Sequence, residues 1–167
     1  MTTPDAEVLA ARLAEHPDYR VLRRLDVGRE WPAVTGRGAG FAVVLDTETT
    51  GMDPATDKVI ELALVKFEYS RESGAIGRVF DAYDGLEDPG MPIPPESTAI
   101  HHITDDMVRG QRLDEAAIGR MLEGAGLVIA HNAGFDRPFV EARLPAFRSL
   151  PWACSLKDVP WDGLGLG

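Results

Sequence analysis

Residues 41–51 read FAVVLDTETTG, and this run determines the fold class expected for the chain. Its first five residues are apolar and partly β-branched, which predicts a central strand buried on both faces. Asp46 and Glu48 follow directly, so on a continuing extended backbone their side chains project from one face, about 6–7 Å apart. The run therefore predicts two carboxylates at the carboxyl edge of a sheet, where open α/β sheets bind their ligands.

Strand and helix patterns surround this run on both sides. After it, apolar alternation predicts strands at 59–67, 78–83, 127–130 and 152–155, the first two forming an antiparallel meander with the central strand. Helices are predicted at 5–15, from Thr104, from an Asp114 cap to about Glu123, and at 134–144, with a proline-rich loop at 88–96. The fold class is therefore α/β, a mixed central sheet flanked by helices over residues 41–167, preceded by a short helical extension and connector at 1–40.

The charge balance limits the class of protein. Seventeen Lys and Arg stand against 27 Asp and Glu, a net charge of −10, and residues 1–40 are balanced, so the whole excess lies after residue 40. This composition excludes a polybasic protein that coats nucleic acid. No apolar stretch is long enough to span a membrane and no secretory signal begins the chain, so a cytoplasmic location without membrane association is expected. The one cysteine, Cys154, is interpreted as a small buried residue of a reducing compartment.

The carboxylate pair predicts a divalent metal. At that separation two unscreened carboxylates repel by roughly 2–3 kcal/mol at an effective dielectric constant of about 20, and oxygen donors of this kind select Mg²⁺. The spacing alone is not specific, because Asp5 and Glu7 share it in a predicted helix, and an ordinary strand-to-turn junction is the alternative. Thr47 and Thr49, which flank the pair, are candidates to donate hydrogen bonds to a phosphate.

A second cluster lies at residues 129–136, IAHNAGFD, where a short strand opens into a helix. Asp136 is either a carboxylate delivered to the same sheet edge or a first-turn acid that only stabilises the helix dipole. Asn132 is a hydrogen-bonding or capping side chain, and Phe135 is a further candidate for contact with substrate. Since both strands bring acids to one edge, we favour a shared site.

Four segments in this order resemble the DnaQ-like (DEDD) 3′-to-5′ exonucleases, and most closely the epsilon-type proofreading subunits of bacterial DNA polymerase III. They are LDTETTG at 45–51, VIELALV at 59–65, IHHIT at 100–104 and HNAGFD at 131–136. The resemblance covers about residues 41–155. It implies a ribonuclease H-like fold and an exonuclease that releases nucleoside 5′-monophosphates from a 3′ end.

The resemblance also implies roles for individual residues. Asp46, Glu48 and Asp136 would be the catalytic residues and the ligands of two Mg²⁺ or Mn²⁺ ions. His101 matches a position that lies against the terminal nucleotide in relatives, although it could instead cap the helix near Thr104. Glu61 is not assigned a role, and His131 is expected to support the end of its strand. The expected substrate is a single-stranded or frayed 3′ end of DNA, with RNA also open, and a DNA polymerase is a candidate partner.

The third motif of that family, a histidine or tyrosine followed by a fourth carboxylate on a helix, has no match in the 167 residues. We expect a chain that continues beyond its last residue here, and the alternative is a short homologue without catalysis. The two functional hypotheses are accordingly a metal-dependent exonuclease acting in proofreading or repair, and an inactive exonuclease-fold module that binds a polymerase or a nucleic-acid end.

Overall fold

A computed structural model describes residues 5–22, 31–34 and 38–165. Its centre is a five-stranded sheet whose strands β1 to β5 span, in chain order, Ala39–Thr49, Val59–Ser70, Ile76–Leu86, Ala125–Ala130 and Trp152–Cys154. Their order across the sheet is β3-β2-β1-β4-β5. Strands β1, β2 and β3 form an antiparallel meander, whereas β4 and β5 run parallel to β1. The predicted mixed sheet and meander are confirmed.

Helices form at most of the predicted places. In chain order α1 to α5 span Ala6–Ala14, Pro95–His101, Asp105–Val108, Glu115–Leu122 and Ala133–Arg143, with short 3₁₀ helices at Pro145–Ser149 and Asp162–Leu164. The cap predicted for α4 is present, since the Asp114 carboxylate accepts a hydrogen bond from the Ala117 backbone N–H at 2.9 Å. Within the described ranges, no helix is long and apolar enough to cross a membrane.

Helix α2 corrects the prediction that residues 88–96 are wholly loop. It begins at Pro95, directly after Pro94. Proline is well suited to the first helical position, because its fixed φ matches the helix and the N–H that it lacks has no intrahelical acceptor there. The helix ends at His101, and the next residue, His102, has a left-handed φ of 64°. That backbone conformation favours glycine.

The central strand also differs from its prediction. β1 continues beyond Leu45 to Thr49, so Asp46 and Glu48 lie inside the strand and not after it. Only one face is fully covered, since Val43 and Leu45 are buried but Val44 is 41% exposed. The reason is that α4 and α5 pack on the face that carries Val43, through Ile118, Met121 and Val140. The other face, with Val44, Asp46 and Glu48, is the more open one.

The core beneath α4 and α5 positions the carboxyl ends of β1 and β4 side by side. Leu45 pairs with Ala130 in the parallel register, so both strands reach the same edge together. Helix α5 begins there, three residues after the end of β4. Cys154, buried as predicted, belongs to the same apolar cluster. The sheet edge that carries the first carboxylates therefore also receives the first turn of α5.

Candidate active site

Asp46 and Glu48 occupy the open face of β1 near its end. Asp46 lies opposite Ala63 of β2, and Glu48 lies opposite Glu61. Residues two apart in a strand share a face, so both carboxylates point to the same side of the sheet. Asp46 is exposed and Glu48 is half-buried. The predicted pair is therefore placed together, in a position open to a ligand.

Asp136 approaches this pair from the first turn of α5. It is only 2% exposed, and its Oδ1 accepts a hydrogen bond from the Thr47 hydroxyl at 2.8 Å. Thr47 is itself buried, at 6% exposed. Its hydroxyl therefore holds Asp136 against β1, whereas the sequence placed Thr47 among the substrate-binding residues. The position of Asp136 in the first turn also stabilises the dipole of α5.

The three carboxylates affect one another electrostatically. Burial raises the pKa of Glu48 most, and the charges of Asp46, Glu61 and Asp136 raise it further. Burial likewise raises the pKa of Asp136, while its bond from Thr47 acts in the opposite direction. Across the described residues, no three Asp, Glu, His or Cys side chains are drawn close enough to hold one metal ion between them. The arrangement is a set of mutually repelling oxygen donors, which a cation would stabilise.

Glu61 is the site residue that sequence reasoning passed over. It faces Glu48 directly across the β1–β2 ladder, and burial, followed by the charges of Asp84 and Asp46, raises its pKa. The sequence places Glu61 in β2, two residues before Ala63 and therefore on the same face of the strand. It does not give the register between β1 and β2, which sets Glu61 opposite Glu48. Glu61 adds a further negative charge to the open face beside the site.

A cleft of about 640 Å³ opens next to these carboxylates. Of the predicted substrate-binding residues, Thr49, His101, Asn132 and Phe135 line it, and Thr47 does not. Two exposed apolar side chains stand on its walls, Met52 at 79% and Ile100 at 78% exposed. The remaining lining residues are Glu48, Thr50, Gly51, Asp57, Pro94, Glu96 and Ser97. The cleft thus combines an apolar surface with the acidic strand end.

His101 is held at the end of α2. Its Nδ1 accepts a hydrogen bond from the Ile103 backbone N–H at 3.0 Å, which places the ring proton of the neutral form on Nε2. Burial lowers the pKa of His101, as does the neighbouring His102, and the Thr49 backbone opposes this shift. The Ile103 N–H precedes the N-cap Thr104 of α3, and α3 has no side-chain capping bond, so the helix-capping alternative for His101 is wrong. Because the residue also lines the cleft, His101 both shapes the end of α2 and faces the ligand space.

His131 and Asn132 form the connection between the end of β4 and the start of α5. Asn132 precedes α5 with a left-handed φ of 63°, a conformation that asparagine tolerates, and its side chain makes no capping hydrogen bond. The cap considered for it from the sequence is therefore absent from this structure. His131 Nδ1 lies 3.0 Å from the Ser155 hydroxyl, just beyond β5. His131 supports the strand end, as predicted.

Replacing Thr47 by valine tests the hydrogen bond to Asp136. We expect Thr47→Val to lower the free energy of unfolding by about 1–3 kcal/mol at neutral pH, because a buried carboxylate loses its donor. The bond lowers the Asp136 pKa, so it stabilises the ionised form, and the loss should shrink as the pH falls through that pKa. Urea unfolding at several pH values measures this. Thr47→Ser, which keeps the hydroxyl, is the control, and an equal loss in both variants would contradict the assignment.

Replacing Glu61 by glutamine tests the repulsion across the ladder. Like charges directly opposite on two strands destabilise the sheet, so Glu61→Gln should raise the free energy of unfolding by about 0.2–1 kcal/mol at neutral pH in EDTA. The pKa values of Glu48 and Glu61 are both raised. The repulsion is therefore present above the raised pKa values and absent below the ordinary glutamate pKa, where both groups are protonated in either state. A gain that is the same at all pH values would argue against repulsion as its cause.

Comparison with known proteins agrees with this geometry. The sequence profile described as Exonuclease matches residues 43–159. The chain is 35% identical over 146 residues, 84% of its length, to the PolC-type DNA polymerase III of Clostridium perfringens, and 34% identical over 117 residues, 69% of its length, to that of Thermotoga maritima. It spans only 10% and 8% of those two polymerases.

Solved structures show the same fold. A moderately thermophilic exonuclease I from Methylocaldum szegediense superposes with a TM-score of 0.54 at 22% identity, over 69% of this chain and 27% of that one. The metal-free E. coli exonuclease I complex with single-stranded DNA gives a TM-score of 0.53 at 18% identity, over 70% and 28%. The ribonuclease H-like fold expected from the motifs is thereby confirmed. With the profile matching most of its length, the chain belongs to the exonuclease family.

Proposed function

We propose that this chain is the nuclease domain of a metal-dependent 3′-to-5′ exonuclease that hydrolyses the terminal phosphodiester of DNA and releases nucleoside 5′-monophosphates, in proofreading or repair. The observation that carries the proposal is the gathering of Asp46, Glu48 and Asp136 at one sheet edge, beside a cleft. These acids come from two distant parts of the chain, and the charge of Asp46 raises the pKa of both Glu48 and Asp136. Such an arrangement costs stability unless a cation or a proton relieves it.

The donor set fits Mg²⁺ or Mn²⁺. Asp46, Glu48 and Asp136 supply only carboxylate oxygens, which these hard ions prefer over nitrogen or sulfur. We infer that they would hold two such ions, which when bound supply an activated water and charge stabilisation for the leaving 3′ oxygen. The Thr47 hydroxyl fixes the rotamer of Asp136 toward β1. The exposed position of Asp46 leaves its carboxylate free to turn toward an ion.

The cleft is suited to the terminal nucleotide of a single strand. Met52 and Ile100 present exposed apolar side chains to the cleft, and the half-buried Phe135 of α5 also lines it. Apolar and aromatic side chains stack on any nucleobase without reading its identity, which an exonuclease acting on all sequences requires. Glu48 and Thr49 place the acidic strand end beside that base-binding surface. DNA is the favoured substrate because the curated relatives are DNA polymerases, and RNA is the competing substrate.

The polymerase relatives also suggest a partner. In PolC-type polymerases the matched region is a small part of a much longer protein. We propose that this domain works with a DNA polymerase, by covalent linkage or by association. The competing function is an inactive exonuclease-fold module that binds a polymerase or a nucleic-acid end, which the cleavage assay distinguishes from the nuclease.

One assay tests both the direction of DNA hydrolysis and its dependence on metal. The purified protein is incubated with single-stranded DNA labelled at the 3′ end or at the 5′ end, with Mg²⁺, with Mn²⁺ or with EDTA. We expect the 3′ label to appear at once as a nucleoside 5′-monophosphate and the 5′ label to shorten stepwise, both only with metal. Release of the 5′ label first would contradict the polarity. Binding without cleavage would support the inactive module.

A further inference from the structure

The cleft has no positive charge of its own. Among the described residues that line it, none is lysine or arginine, while Glu48, Asp57 and Glu96 are acidic. A single strand that enters it brings a negative charge with every nucleotide. The phosphates beyond the scissile one therefore need a cation at the rim, because the site carboxylates and the negative net charge of the chain oppose their approach.

Most basic side chains of the described regions are already engaged. Arg137 pairs with Glu141 and lies over the Trp152 ring. Arg143 forms ion pairs with Glu87 and Glu115. The Lys66 ammonium donates to the carbonyls of Arg120 and Glu123, at the end of α4. These groups stabilise the fold and are not available to a ligand at the cleft.

Lys157 is different in both position and environment. Its Nζ lies 3.6 Å from the point that a Cβ on Gly134 would occupy, so the ammonium rests beside the first turn of α5. Phe135, which follows Gly134, and Asn132, the residue that precedes α5, both line the cleft. Lys157 is exposed, and within the described ranges its ammonium has no hydrogen-bond or ion-pair partner. Gly134 has no side chain that would obstruct it.

The turn that carries Lys157 is held by its own hydrogen bonds. The Cys154 N–H donates to the Asp158 carboxylate at 2.7 Å, and the Asp158 N–H donates to the Cys154 carbonyl at 2.8 Å. The Trp161 indole N–H closes the far side by donating to the Ser155 carbonyl at 2.6 Å. A lysine on such a turn loses only side-chain freedom when it binds.

We propose that Lys157 binds an internucleotide phosphate of the single strand that enters the cleft, at the rim formed by the first turn of α5. This inference rests on the proposed function and adds to it the residue that holds the nucleic-acid backbone. Lys157 contacts the charge of the backbone and not a base, so it acts equally on all sequences. Its proposed role is to bind the DNA backbone, and it is not one of the carboxylates proposed to hold the metal ions.

The salt dependence of binding tests the proposal. The probe is a short 5′-fluorescent oligothymidylate with a phosphorothioate at its last linkage to slow hydrolysis, titrated at several KCl concentrations in the presence of Mg²⁺. One lost phosphate contact on a single strand lowers the slope of log Kd against log salt by about 0.7. We expect this change in Lys157→Met, with binding about 3- to 10-fold weaker at low salt, and wild-type behaviour in Lys157→Arg.

Lys58→Met is the matched control. Lys58 is also exposed and, like Lys157, is not a lining residue of the cleft. It lies on the β1–β2 connection, whereas Lys157 lies beside the first turn of α5. An unchanged slope in Lys157→Met, or an equal change in Lys58→Met, would overturn the proposal. If the wild-type protein does not bind the oligonucleotide at all, the proposed nuclease function fails with it. If the wild type binds but Lys157→Met leaves the slope unchanged, the proposal for Lys157 is wrong and the nuclease proposal is unaffected.

Acetylation provides a second readout that does not depend on a variant. The chain has three lysines, Lys58, Lys66 and Lys157, which peptide mass spectrometry can follow separately. We expect saturating oligothymidylate to slow acetylation of Lys157 and to leave the rate at Lys58 unchanged. Equal acetylation of Lys157 with and without the oligonucleotide would overturn the proposal.

Discussion

Asp46→Asn is expected to lower Mg²⁺-dependent release of nucleotides from single-stranded DNA by about a thousandfold or more. Removing a metal-ligand carboxylate costs several kcal/mol of transition-state stabilisation, and each 1.36 kcal/mol corresponds to about tenfold in rate. Asp46 lies on the open face of β1, and its charge raises the pKa of both Glu48 and Asp136. Asparagine keeps the shape of the side chain and removes the charge on which the site depends.

The measurement is the initial rate of release from 3′-labelled DNA, together with the melting temperature with and without Mn²⁺. Asp81→Asn is the matched control, since Asp81 is an exposed carboxylate of β3 that lies away from the cleft. Without metal, Asp46→Asn should unfold at the same temperature as the wild type or higher, because it removes a repulsion. With metal, it should lose the upward shift that ligand binding gives. Near-normal activity of Asp46→Asn would sink the assignment.

Phe147→Ala is expected to lower the free energy of unfolding by about 3–5 kcal/mol, out of a total of about 5–15 kcal/mol for a domain. Phe147 is fully buried in the 3₁₀ helix after α5, with its ring 6.2 Å from the ring of Trp152 in β5. It belongs to the core cluster that joins α5 to the sheet. The cavity left by alanine would therefore loosen the packing of the helix that carries Asp136.

Urea unfolding followed by circular dichroism gives this loss, provided that the slopes of the two transitions agree. Phe147→Leu, which fills most of the space, is the control and should lose distinctly less. A loss below about 1 kcal/mol in Phe147→Ala is no more than the average effect of a point mutation, and it would show that this ring does not anchor the packing.

Much of the fold was predictable because its signals are local. The Asp114 cap, the five apolar strand patterns and the helix after residue 133 depend on neighbours within a few positions, and each is present in the structure. Helix α2 was missed since a proline pair suggests a loop unless the first helical position is considered. The length of β1 was missed for a different reason. Its polar end, Asp46 to Thr49, is kept extended by the ladder with β2, a partner that is distant in sequence.

The residues of the candidate site likewise fall into those that local sequence patterns predict and those that depend on contacts distant in sequence. Asp46, Glu48 and Asp136 were predicted as site residues because they lie in motifs that resemble those of the exonuclease family, and spacing alone would not have distinguished them. Glu61 and Lys157 were not, since neither has a local pattern that distinguishes it from a solvated charge. Their relevance arises from cross-strand register and from the return of the chain after β5 to the first turn of α5.

The sequence by itself therefore determined the family and the mixed sheet, because hydrophobic periodicity and family motifs are local along the chain, and it predicted the three carboxylates. Only the tertiary structure decided that Thr47 turns inward to hold Asp136, that Glu48 faces Glu61, and that the face of β1 bearing Val44 is open. Each of these depends on which side of a strand meets which neighbour. A shift of one residue in register would reverse all of them.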